Sequence, residues 1–521
     1  MALPTDQPTG AHQDAPDFDV DVLIVGAGPV GCWLAAELCA AGVRVQVIEA
    51  RESRVAWSRG FVVHPRTMEI LDSRGVADPL VEAGRQLPTW HFAMGSRRLD
   101  FTVLPTAFPF VLIHPQARTE ELLEEHLNRH GGRVLRGRRA VDLKQDSDHV
   151  AVRVLHDGAE HTVTARFVVG CDGARSAVRE GAGLGFSGSP DTLVSASALV
   201  ALADPPPPEQ YMQTLERGLF FAIALPDGRF VVSTIDHAVM QDVETPWTAE
   251  MLRASLLRIT GTDYGMAEPE RMATIGNLTR QAHRYRDRRV LLAGDAAHLH
   301  FPMGGQGMNL GIQDAHNLAW RLTAAVRAER EQAADDAETP DALLDGYEAE
   351  RRPVGERVLE DVRAQMALVA ATGADGAALR SRFETLLFEH PAVNLQYARR
   401  LSGLDVRYPV SGDEDVRVGA RVPDLLLDVA DPQVGGSAGT RLYELLRQVG
   451  AGRSIRLNVA DGDAGGAGSD VSSGDDAVNV VARSVLGPDW ALLEGWGRAE
   501  SILIRPDGHI AGITAITRLH E

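Results

Sequence analysis

The feature that most limits how this chain can fold is a six-residue turn, Gly26-Ala27-Gly28-Pro29-Val30-Gly31, set between two apolar segments. Val20 to Val25 reads as a strand, and residues 30–41 then carry helical spacing, with Leu34, Leu38 and Ala41 on one side and Gly42 as the stop. Val43 to Ile48 alternates as a second strand and ends at Glu49. Strand, GxGxxG, helix, strand and terminal acid make a βαβ unit with a dinucleotide fingerprint. Its glycines allow a tight turn, backbone approach to a pyrophosphate and close helix packing. A carboxylate at position 49 suits ribose hydroxyls and repels a 2′-phosphate, which favours FAD or NAD over NADP here. Gly183 to Gly188 repeats the spacing, but it follows a helical pattern, runs into Pro190 and has no strand before it, so it is set aside.

A second stretch, residues 288–320, has a related design. Val290, Leu291 and Leu292 read as a buried strand ending in the small-residue turn Gly294-Asp295-Ala296-Ala297. A loop through His298 and Pro302 leads to Gly304-Gly305-Gln306-Gly307. From Met308 the pattern is helical, with Gly311, Ala315, Leu318, Ala319 and Leu322 on one face. Between the two stretches, Thr119 is placed to cap a helix carrying Leu122, Leu123 and Leu127, and Thr162–Val169 is a strand followed by Cys171-Asp172-Gly173. Segments 219–225 and 229–235 flank Pro226-Asp227-Gly228 as a hairpin, within an antiparallel sheet over 190–285. Pro205–Pro208 reads as an exposed loop, residues 341–398 as long helices, Asp461–Asp476 as a mobile loop, and 502–511 as a closing hairpin around Pro506-Asp507-Gly508.

Length and composition bound the rest. At 521 residues two or three domains are expected, and a 44% hydrophobic share supports large cores. The net charge of −20 argues against a nucleic-acid partner, which needs a basic footprint. Cys32, Cys39 and Cys171 form neither a disulfide framework nor a metal-ligand pattern, which suits a reducing cytoplasm. Residues 1–18 read as a disordered tail, and no segment reaches the roughly 18 apolar residues of a membrane span. His298 and His300 lie two residues apart with no third ligand, so no metal is expected.

Three motifs stand in order: GAGPVG (26–31), CDGARSAVR (171–179) and GDAAHLHFPMGGQGMN (294–309). With SRG (58–60), HPRTMEIL (64–71) and PQARTEELL (115–123), the chain resembles the FAD-dependent aromatic hydroxylases of the p-hydroxybenzoate hydroxylase type, and most of all those that tailor bacterial aromatic polyketides (angucyclines, anthracyclines). The resemblance implies an α/β fold: a Rossmann-like FAD-binding domain (19–185 and 275–400), an antiparallel-sheet substrate domain (186–274, with part from about 85–115) and a thioredoxin-like domain (415–521). That last unit holds no cysteine between 401 and 521, which excludes thiol redox chemistry and leaves structural support or dimer contact as its role.

The same resemblance implies roles for individual residues. Gly26, Gly28, Val30 and Gly31 meet the FAD pyrophosphate, and Glu49, Ala50 and Arg51 the adenosine ribose side. Gln116 and Arg118 reach the pyrophosphate and ribityl region, Asp172 fixes loop and arginine geometry, and Asp295 holds the ribityl chain. Pro302, Gly305, Gly307, Met308 and Asn309 line the isoalloxazine edge. Arg59, Pro302 and Gly305 are the candidate catalytic positions, Arg59 through flavin reduction by NADPH or NADH. Trp90, Phe92, Met94, Phe220 and Phe221 are candidate substrate walls. The implied reaction passes through a C4a-hydroperoxyflavin, formed from O₂, that hydroxylates a polycyclic phenol. Baeyer–Villiger oxidation of a ketone shares every motif. A flavin-binding sensor or structural protein is the reading from another class, and a plain NAD dehydrogenase does not need the GDAAH block. A monomer or homodimer without a membrane partner is expected.

Overall fold

The computed structural model describes residues 19–521 apart from 56–59, 96, 226, 332–338, 411–414, 430–437, 460–476, 488–499 and 516–521. The expectations for residues 1–18, for the loop 461–476 and for Arg59 lie outside the described residues.

The first glycine motif seeds the main sheet. Strand Val20–Val25 pairs in parallel with Val45–Glu49 on one side and with Ala159–Gly170 on the other. Val290–Leu292 and Val134–Arg136 extend this parallel run at its two ends. Strands buried on both faces need continuous apolar sequence, and Val22, Leu23, Ile24, Val168, Val169, Leu291 and Leu292 are all fully covered. An antiparallel ribbon, Arg139–Gln145 with Val150–His156, hangs on Ala159–Gly170. Helix Pro29–Ala40 crosses between the first two strands, with Pro29 in its first turn, where the missing N–H costs nothing. Helix Gly307–Glu331 packs against it, and helix Pro340–Ala370 packs against Gly307–Glu331 in turn. The helical face read from Gly311, Ala315, Leu318, Ala319 and Leu322 is the buried one.

A five-stranded antiparallel sheet forms the second layer, in the order 212–215, 218–224, 230–236, 194–200 and 271–276. Its hairpin joins Gly218–Ala224 to Phe230–Asp236. Successive side chains leave opposite faces of a strand. One face, with Ala198, Phe220 and Val232, packs on Leu252 and Leu256 of helix Ala249–Thr260 and on Trp247 just before it. The other face, with Leu219 and Ile235, joins an apolar layer containing Trp90, Phe92, Met94, Phe101, Phe301 and Met303.

Two local expectations change. The helix at 116 begins four residues earlier than it would with Thr119 as its cap, spanning Gln116–Arg129. Thr119 lies inside, where its hydroxyl pairs with His114 Nδ1 at 2.9 Å. The set-aside Gly183–Gly188 match contains no helix start; Phe186–Ser189 is a strand paired with Thr279–Ala282.

The C-terminal unit is a mixed six-stranded sheet in the order 438–441, 426–429, 478–487, 455–459, 500–504 and 510–515, with helix Leu442–Val449 against it. Its Pro506-Asp507-Gly508 turn is not a solvent-facing tip. Asp507 is buried, its backbone carbonyl accepts from Arg66 at 3.0 Å, and its Oδ2 accepts from Asn317 Nδ2 at 3.1 Å. Arg505 donates to Glu350 at 2.7 and 2.9 Å. The turn is the unit's anchor in the body built on the main sheet. Among the described residues no helix is long and apolar enough to cross a membrane, and no cluster of side chains could hold a metal ion.

Candidate active site

The three sequence motifs meet at the ends of adjacent parallel strands. Gly26 takes φ +103°, and a Cβ there would lie 2.3 Å from the carbonyl oxygen of Cys171. A Cβ on Gly31 would lie 2.0 Å from the carbonyl oxygen of Gly26. These two glycines are therefore required by neighbouring backbone. Gly28 differs, because a Cβ there meets nothing within 4 Å. It sits as N-cap before Pro29, with no side chain capping the helix, so the free N–H groups of the first turn adjoin open space. That space and the helix's positive end fit an anionic pyrophosphate.

Glu49 reaches back to this turn. Its Oε2 accepts Ala27 N–H and its Oε1 accepts Arg51 N–H, each at 3.0 Å, leaving lone pairs on both oxygens for ribose hydroxyls. Ala50 and Arg51 are exposed beside it. Val30 contributes packing through its side chain, which fills the gap left by Gly294 and Gly311.

Asp172 accepts Val178 N–H at 3.2 Å, and burial raises its carboxyl above the ordinary range. Arg179, from the same motif, donates to the carbonyls of Ala174 and Ala296 at 3.0 Å and lies over Phe186. It ties the second motif to the third, a role that nothing in the sequence separates from that of Arg175.

In the third motif Asp295 is the exposed residue of a one-turn helix, Gly294–Ala296, whose other two residues are buried, and its Oδ1 faces Gly307. Gly304 and Gly305 both take positive φ, +75° and +73°, and a Cβ on Gly305 would meet Val62 at 2.5 Å. Asn309 clasps this loop. Its Nδ2 donates to the carbonyls of Val62 and Gly305, and its Oδ1 accepts His64 N–H at 2.8 Å. Both of its Nδ2 hydrogens are thus engaged within the protein. Pro302 is exposed at the loop entrance, while Gly307 and Met308 open the helix half-buried.

Gln116 and Arg118 stand in the first turn of helix Gln116–Arg129. Gln116 N–H donates to the carbonyl of Gly60, and its side chain donates to Glu120. Arg118 is exposed and paired with Glu121 at 2.7 Å.

The glycine loop also joins the apolar layer. The carbonyl of Gly304 accepts Trp90 Nε1–H at 3.2 Å and His64 Nε2–H at 2.8 Å. Burial holds the His64 imidazole down to about 4, so it stays neutral and donates from Nε2. Phe92 packs on Phe383 and Tyr397, and Met94 lies close by with φ +53°. Phe221 is half-buried toward this layer. Phe220 is not: it stacks on Tyr264 inside the core between the sheet and helix Ala249–Thr260. The expectation that both phenylalanines line one cavity fails because adjacent strand residues face opposite ways. The same rule puts Ser197 and Ser233 on Phe221's side, their hydroxyls 2.8 Å apart. The period-2 pattern carried that information, but without the partner layers it did not say which face was which.

Residues 19–362 match the family described as FAD binding domain. The chain belongs to the FAD-dependent aromatic hydroxylases. It is 40% identical over 502 residues to an uncharacterized aromatic compound monooxygenase of Bacillus subtilis (strain 168), covering 94% of this chain and 93% of that protein. It is 37% identical to the rifampicin monooxygenase of Streptomyces venezuelae, covering 94% of each. The solved anhydrotetracycline hydroxylase OxyS of Streptomyces rimosus superposes with a TM-score of 0.81 at 35% identity, covering 95% of this chain and 96% of that one. The chain is a flavin-dependent monooxygenase.

Proposed function

We propose that this hydroxylase adds one atom of O₂ to a ring carbon of a polycyclic aromatic polyketide, using NADPH or NADH as reductant. One observation carries the reading. The glycine loop at 302–307 is held on one side to the helix that follows Asp295 and on the other, through Gly304, to Trp90 and His64 of an aromatic-rich layer. In this reading one loop serves both the cofactor's ring end and the apolar layer around Trp90. The relatives named for rifampicin and anhydrotetracycline support a substrate of that size and aromaticity.

In this reading Gly26, Gly28 and Gly31 hold the FAD pyrophosphate, Glu49 the adenosine ribose, and Asp295 the ribityl chain. When bound, FAD supplies the redox chemistry, taking hydride from nicotinamide and activating O₂. The first turn of helix Gly307–Glu331 directs its positive end at the ring and favours an anionic cofactor. Trp90, Met94 and Phe221 orient the aromatic substrate and keep water from it. Arg59 assists reduction; an unchanged anaerobic reduction rate in Arg59→Ala removes that role. Residues 415–521 form a thioredoxin-like unit that supports the flavin body.

The test is direct. The purified protein should be yellow, consume O₂ with NADPH only when a polycyclic phenol is present, and give a product one oxygen heavier. A colourless protein that FAD does not reconstitute contradicts the reading. A product with oxygen inserted between a carbonyl and its neighbour replaces hydroxylation with Baeyer–Villiger oxidation.

A further inference from the structure

A buried ion pair beneath the acidic turn is used by none of the roles above. Asp314, in helix Gly307–Glu331, and Arg351, in helix Pro340–Ala370, are both wholly buried. Asp314 Oδ1 accepts Arg351 Nε–H at 2.8 Å. Its Oδ2 accepts His298 Nε2–H at 2.6 Å and the backbone N–H of Gly294 at 3.3 Å. Gly294 immediately precedes Asp295 and takes φ +64°. Burial would raise the Asp314 carboxyl, but Arg351 and His298 together outweigh it and hold it below the ordinary range.

Arg351 reaches two further places. It donates to the carbonyl of Leu310, in the first turn of helix Gly307–Glu331, at 3.3 Å, and to the hydroxyl of Tyr408 at 3.2 Å. Tyr408 lies between the helices and the C-terminal sheet. Its ring sits 4.3 Å from that of His509, and the Arg505 guanidinium lies over it at 5.1 Å. One pair of charges therefore holds the turn before Asp295, the start of the helix behind the glycine loop, and the anchor of the C-terminal unit.

A buried pair repays its desolvation poorly as a source of stability, and an apolar pair of similar volume serves as well. What an apolar pair cannot do is fix a backbone N–H, a histidine and a helical carbonyl in one geometry. We propose that Asp314 and Arg351 are positioning residues for the cofactor site. They set the placement of Asp295 relative to the first turn of helix Gly307–Glu331, and Tyr408 makes the C-terminal unit part of that support. The proposal rests on the reading of Asp295 as a direct contact to FAD.

The experiment is a double-mutant cycle on FAD affinity. Asp314→Asn keeps the shape and removes the charge. Apoprotein is titrated with FAD by flavin fluorescence for wild type, Asp314→Asn, Asp295→Ala and the double variant, and the apoprotein melting temperature is recorded for each. Asp314→Asn is expected to raise the Kd at least tenfold in the wild-type background and less than twofold where Asp295 is already alanine. Tyr408→Phe, which removes only the hydroxyl, should show the same pattern with a smaller factor of about three. Equal factors in both backgrounds mean that the pair supports the fold in general, and the proposal falls. If Asp295→Ala alone leaves the Kd unchanged, the reading of Asp295 fails first, and the proposal with it. If Asp314→Asn does not fold as apoprotein, His298→Ala, which keeps the ion pair and removes one donor to it, runs the same cycle with the same two outcomes.

Discussion

Gly28→Ala separates binding from folding at the pyrophosphate turn. Gly28 takes φ −73° and ψ −176°, a conformation alanine adopts freely, and the added methyl meets no protein atom within 4 Å. The apoprotein should therefore keep its stability to within about 0.5 kcal/mol, with a small gain possible from the stiffer unfolded chain. The methyl instead projects into the space before the first turn of helix Pro29–Ala40, where the proposed function puts the pyrophosphate against backbone. Excluding it from that contact should raise the FAD Kd at least tenfold, or about 1.4 kcal/mol. Gly31→Ala is the contrasting case. Its Cβ would lie 2.0 Å from the backbone oxygen of Gly26, which has no rotamer to escape into. The turn itself must open, at a cost of about 1–3 kcal/mol or more, and the apoprotein should melt earlier. The assay pairs apoprotein melting by circular dichroism with FAD titration by fluorescence. A Gly28→Ala variant that binds FAD as tightly as wild type refutes the placement of the pyrophosphate. One that melts as early as Gly31→Ala refutes the claim that its Cβ points into free space.

Three further outcomes are expected. Asp295→Ala should raise the FAD Kd by roughly tenfold, the scale of one lost hydrogen bond to a charged group, without lowering the apoprotein melting temperature, because the side chain is exposed; a parallel loss of stability would contradict this. Phe220→Ala should cost about 3–5 kcal/mol of stability and leave substrate preference unchanged, whereas Phe221→Ala should change KM with little loss of stability; the reverse pattern would reassign the two faces of the sheet. Burial holds His64, His126 and His509 down to about 4, far below their value in the unfolded chain. The unfolded state then binds more protons between about pH 6.5 and 4, so stability is complete above that window and falls with acidification by at most about 1.4 kcal/mol per pH unit for each histidine. A melting temperature that stays level from pH 7 to 5 would show that these imidazoles are not buried neutral.

Much of the backbone around the candidate site was legible because its signals are local. A glycine with positive φ, a strand alternation and an acid at a strand end are properties of a few consecutive residues, so Val20–Val25, the turn at 26–31, Glu49 and the helix after Gly307 read directly. The side chains that hold the site together were not legible in the same way. Arg179, His64, Asp314 and Arg351 act on backbone groups tens to hundreds of residues away. An arginine destined for full burial looks, in one sequence, like an arginine on a surface. Asn309 was visible as part of a motif, but its clasp on Val62 and His64 depends on a strand brought in from far along the chain.

By itself, the sequence determined which backbone turns could form, that they suit a dinucleotide, and that no thiol redox chemistry is available after residue 401. The tertiary structure decided which face of the antiparallel sheet looks toward the glycine loop. That put Phe221 and the Ser197–Ser233 pair there and withdrew Phe220. It also turned Pro506-Asp507-Gly508 from a hairpin tip into a buried anchor. The physical reason is common to both. Local conformation is set by neighbours along the chain, whereas burial and charge pairing depend on which distant surface arrives opposite, and only the folded packing supplies that partner.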